Sequence, residues 1–405
     1  MKVLHVLASV GNLRGGPSFV LRNMTAGLAA LGLEIDVVTT DDNGPERLEV
    51  PIGIPVRRDG VTYRYFPRQT RIYTSSAPMV TWLWKHVADY DIVHIHAVFT
   101  FPSTIAAWTA KAKRVPYMVR PLGVLNEWGL KNRRRFVKKL SLRLIEGPIL
   151  RSSALIHYTS EQERIEAREA GIDHPSVVIP NPVDFEPSTV KVEGGRFRAR
   201  YPETKGRRLV VFLSRISAKK GLDLLIPAFA ELQKHQPDTM LVIAGEGDAQ
   251  LTSEAVERAR TSGLKDHVLW TGFLDSRAKA ELLSDAELFV LPSYSENFGV
   301  AVVEALSFNV PVVVSDQVGI HHEVHDAQAG LVVPCEVGAL FRAMQEILQN
   351  PGLKAELSAN AGRLASGRFS RARILERIAD VYGTIAGQRL PGVHTNGSAA
   401  QPAKQ

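Results

Sequence analysis

Two carboxylates separated by seven residues, Glu296 and Glu304, stand in an otherwise small and apolar segment, Pro292–Ala305. A buried strand over Leu288–Leu291 and a helix starting near Gly299 would put Glu296 in the intervening turn. There the backbone N–H groups of Phe298 and Gly299 open a helix, and a helix N-terminus attracts anions. Glu304 would interrupt an apolar helix. A carboxylate there is costly unless it accepts hydrogen bonds, which the hydroxyls of a ribose or a structural salt bridge would supply.

A second constellation, Ser214-Arg215-Ile216-Ser217-Ala218-Lys219-Lys220-Gly221, follows the apolar run Leu209–Leu213. Arg215 and Lys220, five apart past a strand's carboxyl end, could clamp one diphosphate. Charge-assisted hydrogen bonds of that kind contribute about 1.5–3 kcal/mol each. A solvated loop would need the same composition. Ala244-Gly245-Glu246-Gly247-Asp248 places Gly245 where backbone could approach a ligand, though a plain tight turn reads the same way. Gly11-Asn12-Leu13-Arg14-Gly15-Gly16-Pro17 joins the first strand to a helix. It lacks the G-K-[ST] of a Walker loop and is no full dinucleotide fingerprint. Gly15 and Gly16 would still free the backbone to meet a phosphate or sugar, and Pro17 suits a first helical turn.

His96 ends the run Ile92-Val93-His94-Ile95-His96 and is expected to face a crevice. Asp89-Tyr90-Asp91 imitates a metal-binding D-x-D. It lies at the other end of that strand, roughly 16 Å away at ~3.3 Å per residue, so no metal is expected there.

These residues need parallel sheets to hold them. Short apolar runs alternate with helix-like segments: strands over Val3–Ala8, Ile35–Thr39, Ile92–His96, Tyr117–Arg120, Leu155–Thr159 and Val177–Ile179, then a second series from Leu209 to Val333. Continuous β-branched runs between helices indicate sheets covered on both faces. The break falls between Pro180 and Arg208. The reading is a first α/β domain over 1–184, a linker over 185–207, a second domain over 208–368, a C-terminal helix over 369–389 packing back on the first domain, and a Gly-, Pro-, Ser- and Gln-rich disordered tail over 390–405.

The chain has 405 residues, one cysteine, and 49 Lys+Arg against 42 Asp+Glu, for a net charge of +7. A single cysteine excludes an internal disulfide framework and a multi-cysteine zinc site. No stretch reaches the ~18 apolar residues of a membrane span, and the short apolar N-terminus reads as a strand rather than a signal peptide. A cytoplasmic chain is expected. The charge is concentrated: Lys111–Arg151 holds 12 Lys/Arg and 2 acids, Glu127 and Glu146, for a net +10 that leaves −3 elsewhere. Within it Arg133, Arg134, Arg135, Lys138 and Lys139 surround an apolar stripe of Phe136, Val137, Leu140 and Leu144, and Gly147-Pro148 is expected to stop the helix. A basic amphipathic helix suits an anionic membrane surface. No nucleic-acid module accompanies it, so nucleic acid is not expected.

Together these residues resemble the retaining family-4 glycosyltransferases of the GT-B fold, group 1 of the bacterial polysaccharide type. The marks are Gly15-Gly16, His96, Asn181-Pro182-Val183-Asp184, Arg215 with Lys220, and the E-x7-E pair Glu296 and Glu304. The resemblance implies two doubly wound Rossmann-like α/β domains facing a central crevice, and a nucleotide-diphosphate sugar, GDP-mannose or a UDP-sugar, as donor. It implies that His96, Arg215, Lys220 and Glu296 act at the reacting centre. Gly15, Gly16, Gly245, Phe273, Asn297, Phe298, Gly299 and Glu304 would bind donor, with Phe273 flanking the base. It also implies no cofactor and no metal, and retention by front-face attack. Arg120, Glu127, Trp128 and the basic helix resemble the acceptor side of members that extend glycans on polyprenyl diphosphates in exopolysaccharide or lipopolysaccharide assembly, on the inner face of the plasma membrane. Two other readings fit two α/β lobes: a non-hydrolysing nucleotide-sugar epimerase, and a two-lobed small-molecule-binding protein.

Overall fold

The computed structural model describes residues 1–387 except 12, 14, 126–137, 139 and 185–191. Ten strands form the first half: β1 Lys2–Ser9, β2 Glu34–Thr40, β3 Asp42–Asn43, β4 Glu46–Arg47, β5 Pro55–Arg58, β6 Val61–Phe66, β7 Ile92–His96, β8 Tyr117–Arg120, β9 Leu155–Tyr158 and β10 Ser176–Val178. Eight of them make one sheet in the order β10-β9-β8-β7-β1-β2-β6-β5, and β3 pairs with β4 apart from it. Every pairing in the large sheet is parallel except β5 with β6. That edge hairpin was not expected, because Pro55-Val56-Arg57-Arg58 has neither an apolar run nor a clean alternation.

The second half carries β11 Arg208–Leu213, β12 Thr239–Ala244, β13 Val268–Gly272, β14 Ala286–Leu291, β15 Val312–Ser315 and β16 Gly330–Val333. They form an all-parallel sheet ordered β13-β12-β11-β14-β15-β16. Strands such as Leu209–Leu213 and Leu288–Leu291 are buried along their length, which is why they read as continuous apolar runs. In both sheets the order reverses once, between β1 and β7 in the first and between β11 and β14 in the second. Ligands of such folds bind beyond the strands' carboxyl ends at these switch points.

The stretch before Arg208 is more than a connector. Arg196–Arg200 is a helical turn that sinks Phe197 completely into the second core. Asp285 fixes it by accepting from the Gly195 and Arg198 N–H groups at 2.7 and 3.3 Å. Nor do Gly147-Pro148 end the preceding helix. The backbone widens into a π-helical turn over Leu142–Glu146 and continues as α-helix over Gly147–Arg151. Pro148 offers no N–H and its ring would crowd the carbonyl one turn back, so a wider turn ahead of it keeps the helix intact.

The helix Arg371–Ile385 returns to the first sheet, where Ile374, Leu375, Ile378, Ala379 and Tyr382 join the core formed by Val3, Leu7 and Ile92. Gly27, on the helix Gly16–Ala30, lacks the side chain that would collide with Leu375. The sheet face beneath is unusually polar. His5 and His94 are register partners on β1 and β7, as are His96 and Arg120 on β7 and β8. All four are buried with His157. Tyr382 Oη lies 2.6 Å from His94 Nδ1 and 3.4 Å from His5 Nε2, which ties the returning helix to the sheet.

Burial, with the Arg120 charge adding to it, pushes His5 down to about 3 from an ordinary 6.5, and His157 likewise. His94 and His96 are also lowered by burial and by their neighbours. These imidazoles are therefore neutral when folded and take up protons when unfolded. Stability is expected to rise with pH from about 3 to 6.5 and to be complete above it. Urea unfolding between pH 7 and 4 should show the midpoint falling as pH drops below about 6.5; a midpoint flat from pH 7 to 5 would contradict this.

Candidate active site

The loops that leave β11 and β14 meet at the second sheet's switch point. Gly221, at φ +72°, lets them approach: a side chain there would strike the Pro292 backbone. The Tyr294 N–H donates to the Lys219 carbonyl at 2.8 Å and locks the two together. Across this junction the Lys220 ammonium donates to Glu296, with Lys220 buried and the Glu296 side chain 20% exposed. Burial opposes ionisation of Glu296, but Lys220, Lys219 and the Phe298 N–H outweigh it and hold the carboxyl below its usual range. Lys219 beside them is lowered, by burial first.

Glu296 is also fixed through its backbone. Its N–H donates to the Gln317 carbonyl at 3.0 Å, and its carbonyl accepts from Gly319 at 2.7 Å. Phe298 is buried edge-on against Phe369, with ring centroids 5.9 Å apart, and Gly299 caps the helix Val300–Ser307 at φ +91°. The Phe298 N–H thus serves the protein's own carboxylate rather than standing open to an anion.

Arg215 is exposed and reaches across the crevice. A Cβ on Gly15, at the carboxyl end of β1's loop, would lie 4.0 Å from Arg215 Nη1. Gly16, at the first position of the helix Gly16–Ala30, has open space in front of it. The two switch points therefore face each other, with a cation on one side and a helix N-terminus on the other. Both features favour a diphosphate.

Glu304 lies deep in the same domain, 3% exposed, and accepts from Lys279 on the helix Ser276–Ser284. Burial raises its pKa and Lys279 partly offsets that. Lys279 was missed in the sequence. The one available signal was the need of a carboxylate on an apolar helix for a partner. Phe273 is 72% exposed at the end of β13, and its N–H donates to Glu246 at 3.3 Å. An exposed ring at a strand's carboxyl end offers a flat surface for a base.

Three expectations change. His96 does not face the crevice. It is fully buried, its Nε2 3.0 Å from His5 Nδ1, because alternation along β7 turns it to the same face as His94. Arg120 is not an acceptor-side surface residue. It is 1% exposed and donates to Asn181, and burial brings it down to about 10. Gly245, at φ +141°, is explained by close packing of backbone on Ser214, and Gly247 by the same approach to Ile216, so neither glycine signals a ligand. Glu127, Trp128, Arg133, Arg134, Arg135 and Lys139 lie outside the described residues, whereas Lys138 is half-buried.

The ring nitrogens of His5, His94 and His96 lie within 4.8 Å of one another, the one such group among the described residues spaced to hold a metal. His5 and His96 are bonded to each other and Arg120 is buried beside them. A second cation in that interior would carry a large desolvation cost. The D-x-D carboxylates are otherwise engaged: Asp91 accepts from the Lys2 N–H at 2.7 Å, and Asp89 lies 3.3 Å from His86.

Comparison with known proteins gives the same architecture. A family model described as glycosyl transferases group 1 matches residues 195–363, and one described as a glycosyl transferase 4-like domain matches residues 15–182. The chain is 31% identical over 202 residues to an alpha-D-kanosaminyltransferase of Streptomyces kanamyceticus, a match spanning 50% of this chain and 52% of that protein. It is 30% identical over 280 residues to the uncharacterized glycosyltransferase YqgM of Bacillus subtilis, spanning 67% and 71%. Anabaena HepE in complex with UDP superposes with a TM-score of 0.77 at 20% identity, covering 95% of this chain and all of that one. No helix among the described residues is long and apolar enough to cross a membrane. The facing switch points, the E-x7-E pair and these matches place the chain in the group 1 glycosyltransferases of family 4, enzymes of the GT-B fold.

Proposed function

We propose that this transferase moves a hexosyl group, with retention, from GDP-mannose or a UDP-sugar to a glycan or polyprenyl-diphosphate-linked acceptor in surface-polysaccharide assembly. The observation that carries the reading is the Lys220–Glu296 pair with Arg215 on the same loop as Lys220, which reaches toward Gly15 on the opposite side of the crevice. UDP bound in the similarly folded HepE supports a nucleotide-diphosphate donor.

In this reading Arg215 and Lys220 hold the diphosphate, and Gly16 and the helix behind it face the same charge. Glu296 orients the sugar hydroxyls, and Glu304, set by Lys279, takes the ribose. The acceptor oxygen bonds to C1 on the face from which the diphosphate leaves. Its proton passes to the departing phosphate oxygen, giving a glycoside and a nucleoside diphosphate. No metal or cofactor is required, since fixed cations meet the charge as it develops. His96, buried behind β7, supports this centre from the sheet rather than by touching the sugar.

The membrane side rests on exposure. Leu140 and Leu144 are 59% and 62% exposed, and Lys111, Lys113, Arg114 and Arg143 stand in solvent. Of the segment's two acids, Glu146 is buried, with Tyr73 donating to it at 3.2 Å, so it subtracts little from the positive surface. Such a surface suits anionic lipid at the cytoplasmic face of the plasma membrane.

A thermal-shift panel of UDP, GDP, UDP-glucose and GDP-mannose should raise the melting temperature with one base and not the other, since a ligand of the folded state stabilises it. No shift with any of the four would overturn the donor reading. Lys220→Ala and Glu296→Gln should each lower kcat about 10²–10³-fold, and Lys279→Met should mainly raise the donor KM; product NMR on the wild type should show the donor's anomeric configuration kept. Full rate in the first two variants would remove the site from the crevice. Flotation with vesicles containing anionic phospholipid should carry the chain up, and the Leu140→Ser/Leu144→Ser variant should stay in the bottom fraction. Equal flotation of both would contradict the membrane surface.

A further inference from the structure

The loop that carries Glu296 touches the opposite domain through its next residue. Asn297 Nδ2 donates to Thr159 Oγ1 at 3.2 Å, and the Asn297 carbonyl lies 3.5 Å from Ser160 Oγ. Thr159 has one hydroxyl proton, and it goes to Glu163 Oε2 at 2.7 Å. Its oxygen is thereby left to accept, so the side-chain chain Asn297 to Thr159 to Glu163 has a fixed direction.

Glu163 is built into this junction. It is 1% exposed and takes the Thr159 N–H on the same oxygen at 2.7 Å, while its other oxygen takes the Gly123 N–H at 2.6 Å. One buried carboxylate thus positions both first-domain surfaces that meet Asn297. The second surface is shaped by absence. Gly123, at φ +71°, lies so close beneath Asn297 that a Cβ there would come within 2.6 Å of Asn297 Cβ. On the other side Gly319 leaves room for the Asn297 carbonyl.

We propose that Thr159 and Asn297 form an interdomain latch, with Asn297 a positioning residue that ties closure of the crevice to the seating of Glu296. Asn297 is covalently next to Glu296, and Glu296 is pinned by Lys220, Gln317 and Gly319 within its own domain. Engaging Thr159 therefore fixes the first domain against the donor-side loop at the carboxylate itself. It also sets the approach of Gly15 to Arg215. When the latch opens, Glu296 keeps its lysine but loses its register with the acceptor side. The proposal rests on the crevice being the transferase site, but its test needs no donor.

Small-angle X-ray scattering of the full chain without ligand reads the closure directly. Thr159→Val and Asn297→Ala are each expected to shift the radius of gyration upward relative to the wild type, and the double variant should shift no further than the singles. Thr159→Ser keeps the hydroxyl and should scatter as the wild type. Gly123→Ala should open the crevice with the latch residues intact. Wild-type scattering from both Thr159→Val and Asn297→Ala would overturn the latch. So would equal opening by Thr159→Ser and Thr159→Val, since the hydroxyl would then be irrelevant. Asn297→Ala alters an edge loop rather than a core, so it keeps the test valid if Thr159→Val does not fold.

Discussion

A lysine and a glutamate from loops 76 residues apart share one ion pair at the switch point of the second sheet. Taking both charges out of water is costly unless each satisfies the other, so Lys220 and Glu296 must arrive together. That requirement explains why β11 and β14 are neighbours, why Gly221 stands where a Cβ would strike Pro292, and why Phe298 is anchored on Phe369. It also leaves the site charged and preorganised without a substrate. On the proposed reading, a donor diphosphate entering the crevice would meet Lys220 and Arg215 already in place, and no reorganisation need accompany the developing charge.

The first domain solves a different problem. Its central strands turn three histidines and an arginine toward the returning helix Arg371–Ile385, where most sheets of this kind present only aliphatic side chains. Tyr382 bonds to that surface, and Arg120 is answered by Asn181 and by the charge of Glu163. The same Glu163 organises Thr159 and Gly123 at the domain junction. The polar interior and the crevice are therefore parts of one network. Substitutions beneath the sheet, far from any sugar, should be felt at the crevice through Arg120 and Glu163.

Much of this was legible in the residues. Parallel strands buried on both faces write themselves as Leu209–Leu213 or Ile92–His96, and turns rich in Gly and Pro separate them from helices. On the second domain the types and spacing of Arg215, Lys220, Glu296 and Glu304 marked out the two loops that the fold brings together, Lys220 with Glu296, although a solvated loop or a structural salt bridge reads the same way in sequence. What escaped depends on partners distant in the chain. Lys279 is an ordinary helical lysine until Glu304 is seen beneath it. Strand β5 has no apolar pattern because it is an edge. His96 has the right position on β7, but its side chain follows the pleat, and the pleat was set by the pairing of His5 with His94. Gly245 and Gly123 look alike in sequence, and only the backbone or side chain opposite each one tells a packing glycine from one at a domain junction.

The central claim is that the crevice between the two switch points holds a nucleoside diphosphate. A crystal structure of the protein with UDP or GDP, whichever binds, tests it most directly. The diphosphate is expected between Arg215 and Lys220 with Gly15 and Gly16 opposite, the ribose on Glu304 and the base against Phe273. A diphosphate bound elsewhere on the chain, or one in the crevice that leaves Arg215 and Lys220 untouched, would contradict it.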